Sequence, residues 1–332
     1  MKAIVLVGGE GTRLRPLTYH TPKPLLPIAN VPFLERQLTW LGRHGVDEVV
    51  LSLGYLPEAF EAHFASHRFG DMDIRWVIER EPLGTAGGIR FAADGIDERV
   101  VVCNGDVLTD LDLTGLVRFH DDRGAQATIA LTQVEDPSAF GVVPTRDDGA
   151  VKAFVEKPPP GKAPTNWINA GTYVLEPAVL ARIPPRLTVS IERETFPKML
   201  DTPRKLFAQH SDAYWIDIGT PRKYAEAHAD VLAGRLGFPP APGATESSPG
   251  VWVQGRVELD PDARVRGPVL LGQGARIGAG ADVSESVVGP GAVVEPGARV
   301  LRAVVLAGAR VEADDKAVDA VIAPDARLEY NS

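Results

Sequence analysis

The chain has 332 residues with 44% hydrophobic content, more than one compact core needs, so two domains are expected. Thirty-five basic against forty-four acidic residues leave a net charge of -9, which argues against a broad nucleic-acid footprint and leaves room for small phosphate ligands held by a few cations. No stretch approaches the roughly 20 apolar residues of a membrane span. The lone cysteine, Cys103, excludes an intramolecular disulfide.

MKAIVLVGGEG reads as a first strand running into a glycine-rich turn, with one basic residue before a short apolar run and none of the marks of a signal peptide. A cytoplasmic protein is expected. Residues 2–236 alternate β-branched runs with helical patterns, the arrangement of a mostly parallel, doubly wound sheet with crossover helices. Candidate strands are Ala3–Val7, Glu48–Leu53, Ile74–Ile78 and Val100–Cys103, and Cys103 reads as a buried strand position. Phe33–His44 places Phe33, Leu34, Leu38 and Leu41 on one helical stripe. Ligands of such sheets gather beyond the carboxyl ends of the strands, so the segments after Val7 and Cys103 matter most.

After the first strand, Gly8, Gly9 and Gly11 let backbone amides approach phosphate oxygens, and Arg13 and Arg15 add fixed charge. The stretch lacks both the Gly-Lys-Ser/Thr ending of a P-loop and the third glycine of a dinucleotide fingerprint. Lys23 stands between Pro22 and Pro24, whose restricted backbones would hold its ammonium near the same phosphates. Asn104-Gly105-Asp106 closes the strand Val100–Cys103, where a carboxylate can reach a magnesium ion on nucleotide phosphates, and Asp217 follows another short strand. Either aspartate alone reads equally as a turn or helix-cap residue. Glu156-Lys157 taken by itself is equally a solvated charge pair, and Glu192 and Glu194 are either pocket residues or a first helical turn.

Residues 237–250, GFPPAPGATESSPG, read as a linker. Beyond it Val253, Leu259, Val265, Leu271, Ile277 and Val283 recur every six residues, and the period then tightens to 17: residues 281–295 return as 298–312 and more loosely as 315–329. One inward aliphatic per six residues with frequent glycine marks a β-helix, so residues 251–332 are expected to form a repeat domain behind a catalytic domain over 1–236.

GGEGTRLRPLT with TPKPLLPIAN resembles the signature of the sugar-nucleotide pyrophosphorylases, a nucleotidyltransferase family, over residues 1 to about 234, and the tail resembles the left-handed hexapeptide-repeat β-helix of many members. The resemblance implies nucleotidyl transfer from a nucleoside triphosphate to a hexose 1-phosphate with Mg2+. It implies nucleotide contacts from Gly8, Gly9, Gly11, Thr12, Arg13, Glu81, Gly84, Thr85, Asn104 and Gly105, and sugar-phosphate contacts from Gly141, Glu156, Lys157, Asn169 and Gly171. Asp106 and Asp217 would hold the metal, and Arg13, Lys23 and Lys157 would carry the chemistry. EPLGTAG, VEKP, NWINAGTYVLEP and SIERETFP are most similar to the mannose-1-phosphate guanylyltransferase branch, with glucose-1-phosphate thymidylyl- or uridylyltransferase as the alternative. A homo-oligomer assembled through the β-helix is expected.

Two other classes compete. Hexapeptide β-helices also host acyl transfer on a histidine base, but all seven histidines lie at or before His228, outside the repeats. A non-catalytic sugar-nucleotide-binding regulatory subunit would have lost its chemistry, whereas Arg13, Lys23, Asp106, Lys157 and Asp217 are all present.

Overall fold

Among the β-branched runs of the N-terminal two thirds, Glu48–Leu53 and Val100–Asn104 are buried almost throughout, as parallel strands flanked by helices are, whereas Met72–Ile78 nearer the sheet edge is half exposed. In the computed structural model, which describes residues 1–202, 205–237 and 239–330, the chain forms two units. The first comprises residues 1–10 and 37–215, the second residues 11–36 and 216–332. Phe238, within the expected linker, and residues 331–332, at the end of the expected repeat domain, lie outside the described residues.

In the first unit, β1 (Lys2–Val7), β2 (Glu48–Leu53), β3 (Met72–Ile78) and β4 (Val100–Asn104) are parallel in the spatial order 3-2-1-4. β5 (Ala127–Gln133) and β6 (Trp167–Leu175) extend the sheet, β6 running antiparallel to both β4 and β5 with an irregular register between Asn169 and Tyr173. β7 (Leu206–His210) lies parallel to β5. Because β2 and β4 sit on opposite sides of β1, strand order reverses between β1 and β4, the position beyond whose carboxyl ends sheets of this kind bind their ligands. Gly8-Gly9 and Gly105-Asp106 are the residues that follow those two ends. Helix α1 (Phe33–Arg43) forms as expected, with Phe33, Leu34, Leu38 and Leu41 all fully buried. Helix α2 (Gly84–Ala92) contributes Ala86, Ile89 and Ala92 to the core shared by Ile4, Val50 and Val102. Cys103 is buried in β4, and burial pushes its thiol up to about 12, so it packs and does not react.

In the second unit the repeats stack as parallel coils. Arg264 pairs with Asp282 at an 18-residue step, then Asp282 with Arg299 and Arg299 with Lys316 at 17-residue steps. A second face pairs Leu259, Ile277, Val294 and Val311 in the same sense. The interior alternates alanine with β-branched residues, among them Ala275, Ile277, Ala281, Val283, Ala292 and Val294. Two expectations are corrected at the ends of the stack. Leu259, expected inside, is 50% exposed, since the first coil has only one neighbour to bury it. The loose third repeat starts as a coil, Ala320–Ala323 lying parallel to Val304–Val305, but Ala326–Glu329 then turns back antiparallel on it and closes the edge. Within 237–250, Ala244–Ser248 forms a strand antiparallel to Val251–Gln254. Helix α3 (Pro221–Leu232) starts on Thr220, whose hydroxyl accepts from Lys223 N at 3.3 Å, with proline at the first helical position. Among the described residues no helix is long and apolar enough to cross a membrane.

Candidate active site

Backbone geometry at the end of β4 leaves no room for a side chain. Gly105 N donates to Leu6 O at 2.9 Å, and a Cβ on Gly105 would come within 2.6 Å of that same oxygen. Glycine here lets the loop that carries Asp106 lie against the end of β1, beside exposed Gly8 and Gly9. Asn104 packs against Gly171, whose φ of +75° and 2.7 Å Cβ clearance to Asn104 Nδ2 both require glycine. Gln37 Nε2 donates to Asn104 O at 2.8 Å and steadies the same loop.

The sugar-pocket residues named from the sequence lie together in this unit. Asn169 Oδ1 accepts from Gly171 N at 2.9 Å, while its Nδ2 donates to Tyr173 Oη at 2.7 Å. Gly141 pairs with Glu156 across a short antiparallel ladder, and Val142 joins that ladder to Ile168 of β6. Lys157 follows with φ +46°, an unusual backbone for lysine, held by its N–H donating to Phe140 O at 3.0 Å. Its side chain is exposed, whereas Glu156 is partly covered and 3.5 Å from Arg193.

Gly84 and Thr85 open helix α2, and exposed Glu81 lies on the turn before it. Two glutamates shape this turn. Glu79 accepts from Ser52 Oγ at 2.7 Å and from Leu83 N at 3.0 Å. Glu192 accepts from Thr85 Oγ1 at 2.8 Å, from Ser190 Oγ at 2.9 Å and from Tyr173 Oη at 3.4 Å. Of the two sequence readings left open, Glu192 therefore lies in a π-helical turn, Ile191–Thr195, and also bonds across to the turn and to β6. Glu194 Oε1 accepts from Ser190 N at the start of that turn. A hydrogen-bonded chain thus runs from Thr85 through Glu192 and Tyr173 to Asn169. Burial and the Glu192 charge hold the Tyr173 phenol protonated, well above the ordinary tyrosine range. Sequence reasoning missed Glu79 and Tyr173, each of which joins a neighbour four residues away to a more distant group, Ser52 for Glu79 and Glu192 for Tyr173.

The second unit holds the remaining candidates. Gly11 (φ +62°) accepts from Thr18 Oγ1 at 2.9 Å, folding the loop so that Thr12 and Arg13 are exposed on a short 3-10 turn. Lys23 is only 7% exposed, and its Nζ lies 3.9 Å from Asp217 Oδ1. Arg13 joins them: a Cβ on Gly219 would stand 2.6 Å from both Arg13 Nη2 and Asp217 Oδ1. Arg13 and Asp217, about two hundred positions apart, thus meet at one glycine, and Lys23 stands on the same Asp217 oxygen. Among the described residues no group of three or more His, Cys, Asp or Glu side chains forms a metal cage.

A family model described as Nucleotidyl transferase matches residues 2–234. The chain belongs to this family. As a nucleotidyltransferase it is 41% identical over 288 residues to "Mannose-1-phosphate guanylyltransferase" of Mycobacterium tuberculosis, spanning 86% of this chain and 79% of that protein. It is 36% identical over 299 residues to "UTP--glucose-1-phosphate uridylyltransferase" of Synechocystis, spanning 85% and 76%. Among solved structures it is similar to HddC from Yersinia pseudotuberculosis complexed with GMP-PN, at TM-score 0.59 and 31% identity, covering 68% of this chain and 97% of that one.

Proposed function

We propose that this nucleotidyltransferase joins GTP and mannose 1-phosphate to give GDP-mannose and pyrophosphate. The observation that carries the chemistry is the meeting of Arg13 and Asp217 at Gly219, with the nearly buried Lys23 3.9 Å from the same Asp217 oxygen. The choice of substrate draws on the similarity to mannose-1-phosphate guanylyltransferase and to HddC in its complex with GMP-PN, a guanine nucleotide.

An oxygen of the sugar phosphate forms the new bond to the α-phosphorus in line, while the bond to the β-phosphate bridge breaks and its electron pair leaves with pyrophosphate. No protein nucleophile is needed, so positioning and charge neutralisation supply the catalysis. Lys23 is assigned to the α-phosphate, Lys157 to the sugar phosphate and Arg13 to the departing pyrophosphate. The Gly8-Gly9-Gly11-Thr12 loop and Asn104-Gly105 are assigned to the nucleotide phosphates and sugar, and the turn bearing Glu81, Gly84 and Thr85 to the base. Gly141, Glu156, Asn169 and Gly171 are assigned to the hexose. At 4 Å a cation gains about 4 kcal/mol from a phosphate charge at an effective dielectric near 20.

Mg2+ takes hard oxygen ligands, one or two carboxylates plus substrate phosphates in place of a protein cage, and the donor chemistry of Asp106 and Asp217 fits that demand. Bound there, the ion would neutralise phosphate charge.

Pyrophosphate release, with and without Mg2+, from GTP, dTTP or UTP paired with mannose or glucose 1-phosphate tests the substrates. GTP with mannose 1-phosphate is expected to be used fastest, and only with the metal. Failure with GTP beside rapid use of UTP, the reaction named for the Synechocystis relative, or of dTTP would overturn the substrate choice. Lys23→Ala and Asp217→Ala should each cut turnover at least about a hundredfold with the far-UV spectrum unchanged. Near-normal rates for both would overturn the assigned chemistry.

A further inference from the structure

Lys23 stands just ahead of a hairpin that cannot hold itself together. Its ladder has only two pairs, Pro27 with Pro32 and Ile28 with Val31, and both members of the first pair lack an N–H donor. Ala29 and Asn30 at the tip have φ +44° and +61°. The backbone groups left over are taken by buried side chains from outside the hairpin. Tyr224 Oη of α3 donates to Pro27 O at 2.6 Å, and Ala29 N donates to His228 Nδ1, one turn further along the same helix, at 3.1 Å. Arg36 donates to Ile28 O through Nε and Nη2 at 3.0 and 2.8 Å, and also reaches Pro240 O. Tyr224 is fully buried and His228 and Arg36 nearly so. With Nδ1 accepting, the His228 proton sits on Nε2, and burial together with the Arg36 charge pushes its pKa down to about 3, so the ring stays neutral.

The hairpin is rigidly joined to the lysine. Leu26 N donates to Lys23 O at 3.1 Å and Phe33 N to Leu26 O at 2.9 Å, closing the short turn that bears Lys23 onto the hairpin's base. At the other end of α3, Asp217 and Gly219 come immediately before the capping residue Thr220. The first β-helix coil meets the hairpin tip: Asn30 Nδ2 lies 3.5 Å from Gln254 Oε1, and a Cβ on Gly272 would come within 2.9 Å of Nδ2.

We propose that Tyr224 and His228 are positioning residues: through the hairpin 27–32 they make α3 the common reference for Lys23 and Asp217, with the β-helix bracing the hairpin at Asn30. This rests on the role assigned to Lys23 above. It gives the repeat unit a part in the chemistry and gives the buried histidine a task that its sequence context did not suggest.

Steady-state pyrophosphate release by the full chain tests it in Tyr224→Phe, His228→Leu, His228→Asn, Lys23→Ala and the double variant Tyr224→Phe/Lys23→Ala. Tyr224→Phe and His228→Leu are expected to lower kcat about tenfold while leaving KM for the sugar phosphate within about twofold, since a loss of positioning acts on the transition state. His228→Asn should recover part of the loss, its amide oxygen replacing the acceptor for Ala29 N. On the Lys23→Ala background Tyr224→Phe should cost less than about twofold, because residues acting through one group are not additive. Full turnover in Tyr224→Phe and His228→Leu beside a crippled Lys23→Ala would overturn this proposal alone. The same tenfold loss on both backgrounds would also overturn it, as that is the mark of a general weakening of the fold. A near-normal Lys23→Ala would remove the assigned role of the lysine and this proposal with it.

Discussion

Replacing Gly219 by alanine should separate chemistry from folding. Its φ lies outside the left-handed region, so the backbone accepts alanine. The new methyl would stand 2.6 Å from both Arg13 Nη2 and Asp217 Oδ1. That is about 1 Å inside ordinary van der Waals contact. Both atoms end flexible side chains that can swing aside, so the expected loss of stability is only about 1 kcal/mol. A displacement of about 1 Å in groups that position reacting phosphates costs about a hundredfold in rate, or about 2.7 kcal/mol of barrier. Pyrophosphate release at saturating substrate and Mg2+, beside urea unfolding, reads the two effects separately. Gly105→Ala should also be felt in stability: its methyl would meet Leu6 O at 2.6 Å, backbone that the sheet holds fixed, and stability should fall by about 3 kcal/mol. Wild-type turnover in Gly219→Ala would show that neither Arg13 nor Asp217 acts near the reacting atoms.

Two further outcomes are expected. His228 is depressed to about 3 by burial and by Arg36, with Tyr224 packed edge-on beside it, whereas an unfolded histidine titrates near about 6.5. The unfolded chain therefore takes up the proton first, and stability that is full above pH 6.5 is lost as pH falls from there towards 3, by about 2 kcal/mol at pH 5. Urea unfolding at pH 7 and pH 5 should show wild type losing that much more than His228→Asn, with the downward shifts of His44, His120 and His210 cancelling in the difference; equal losses would refute the assignment. Tyr173→Phe removes the hydroxyl between Asn169 and Glu192, and initial rates should show KM for the sugar phosphate rising about tenfold with kcat little changed. An unchanged KM would mean that Asn169 is oriented without it.

Much of the architecture could be read directly. The runs at Glu48–Leu53 and Val100–Cys103 became strands because fully buried parallel strands announce themselves as continuous β-branched segments. The six-residue rhythm became stacked coils for a similar reason, one inward side chain being repeated at each turn. Periodicity was blind to the ends of that stack, where Leu259 lacks a neighbour and Ala326–Glu329 turns back, since burial there depends on what lies beyond the repeat. It was equally blind to Glu79, Tyr173 and His228, single residues in unremarkable local contexts whose partners Ser52, Glu192 and Ala29 are chosen by the packing of other elements.

Local composition marked the parallel strands, the glycine turns and the repeat coils, because strand propensity, glycine turns and aliphatic spacing act over a few neighbouring residues, but it missed the strand Ala244–Ser248 inside the stretch read as a linker. It also marked Arg13, Lys23, Asp106, Lys157 and Asp217 as charged residues in or beside unusual turns. Only the folded chain decided that Lys23 is nearly buried against Asp217 with Arg13 at the same glycine, and that helix α3 grips the hairpin next to the lysine. Hydrogen bonds and ion pairs between residues two hundred positions apart leave no periodic trace in a sequence, since they form only after the backbone has brought their elements together.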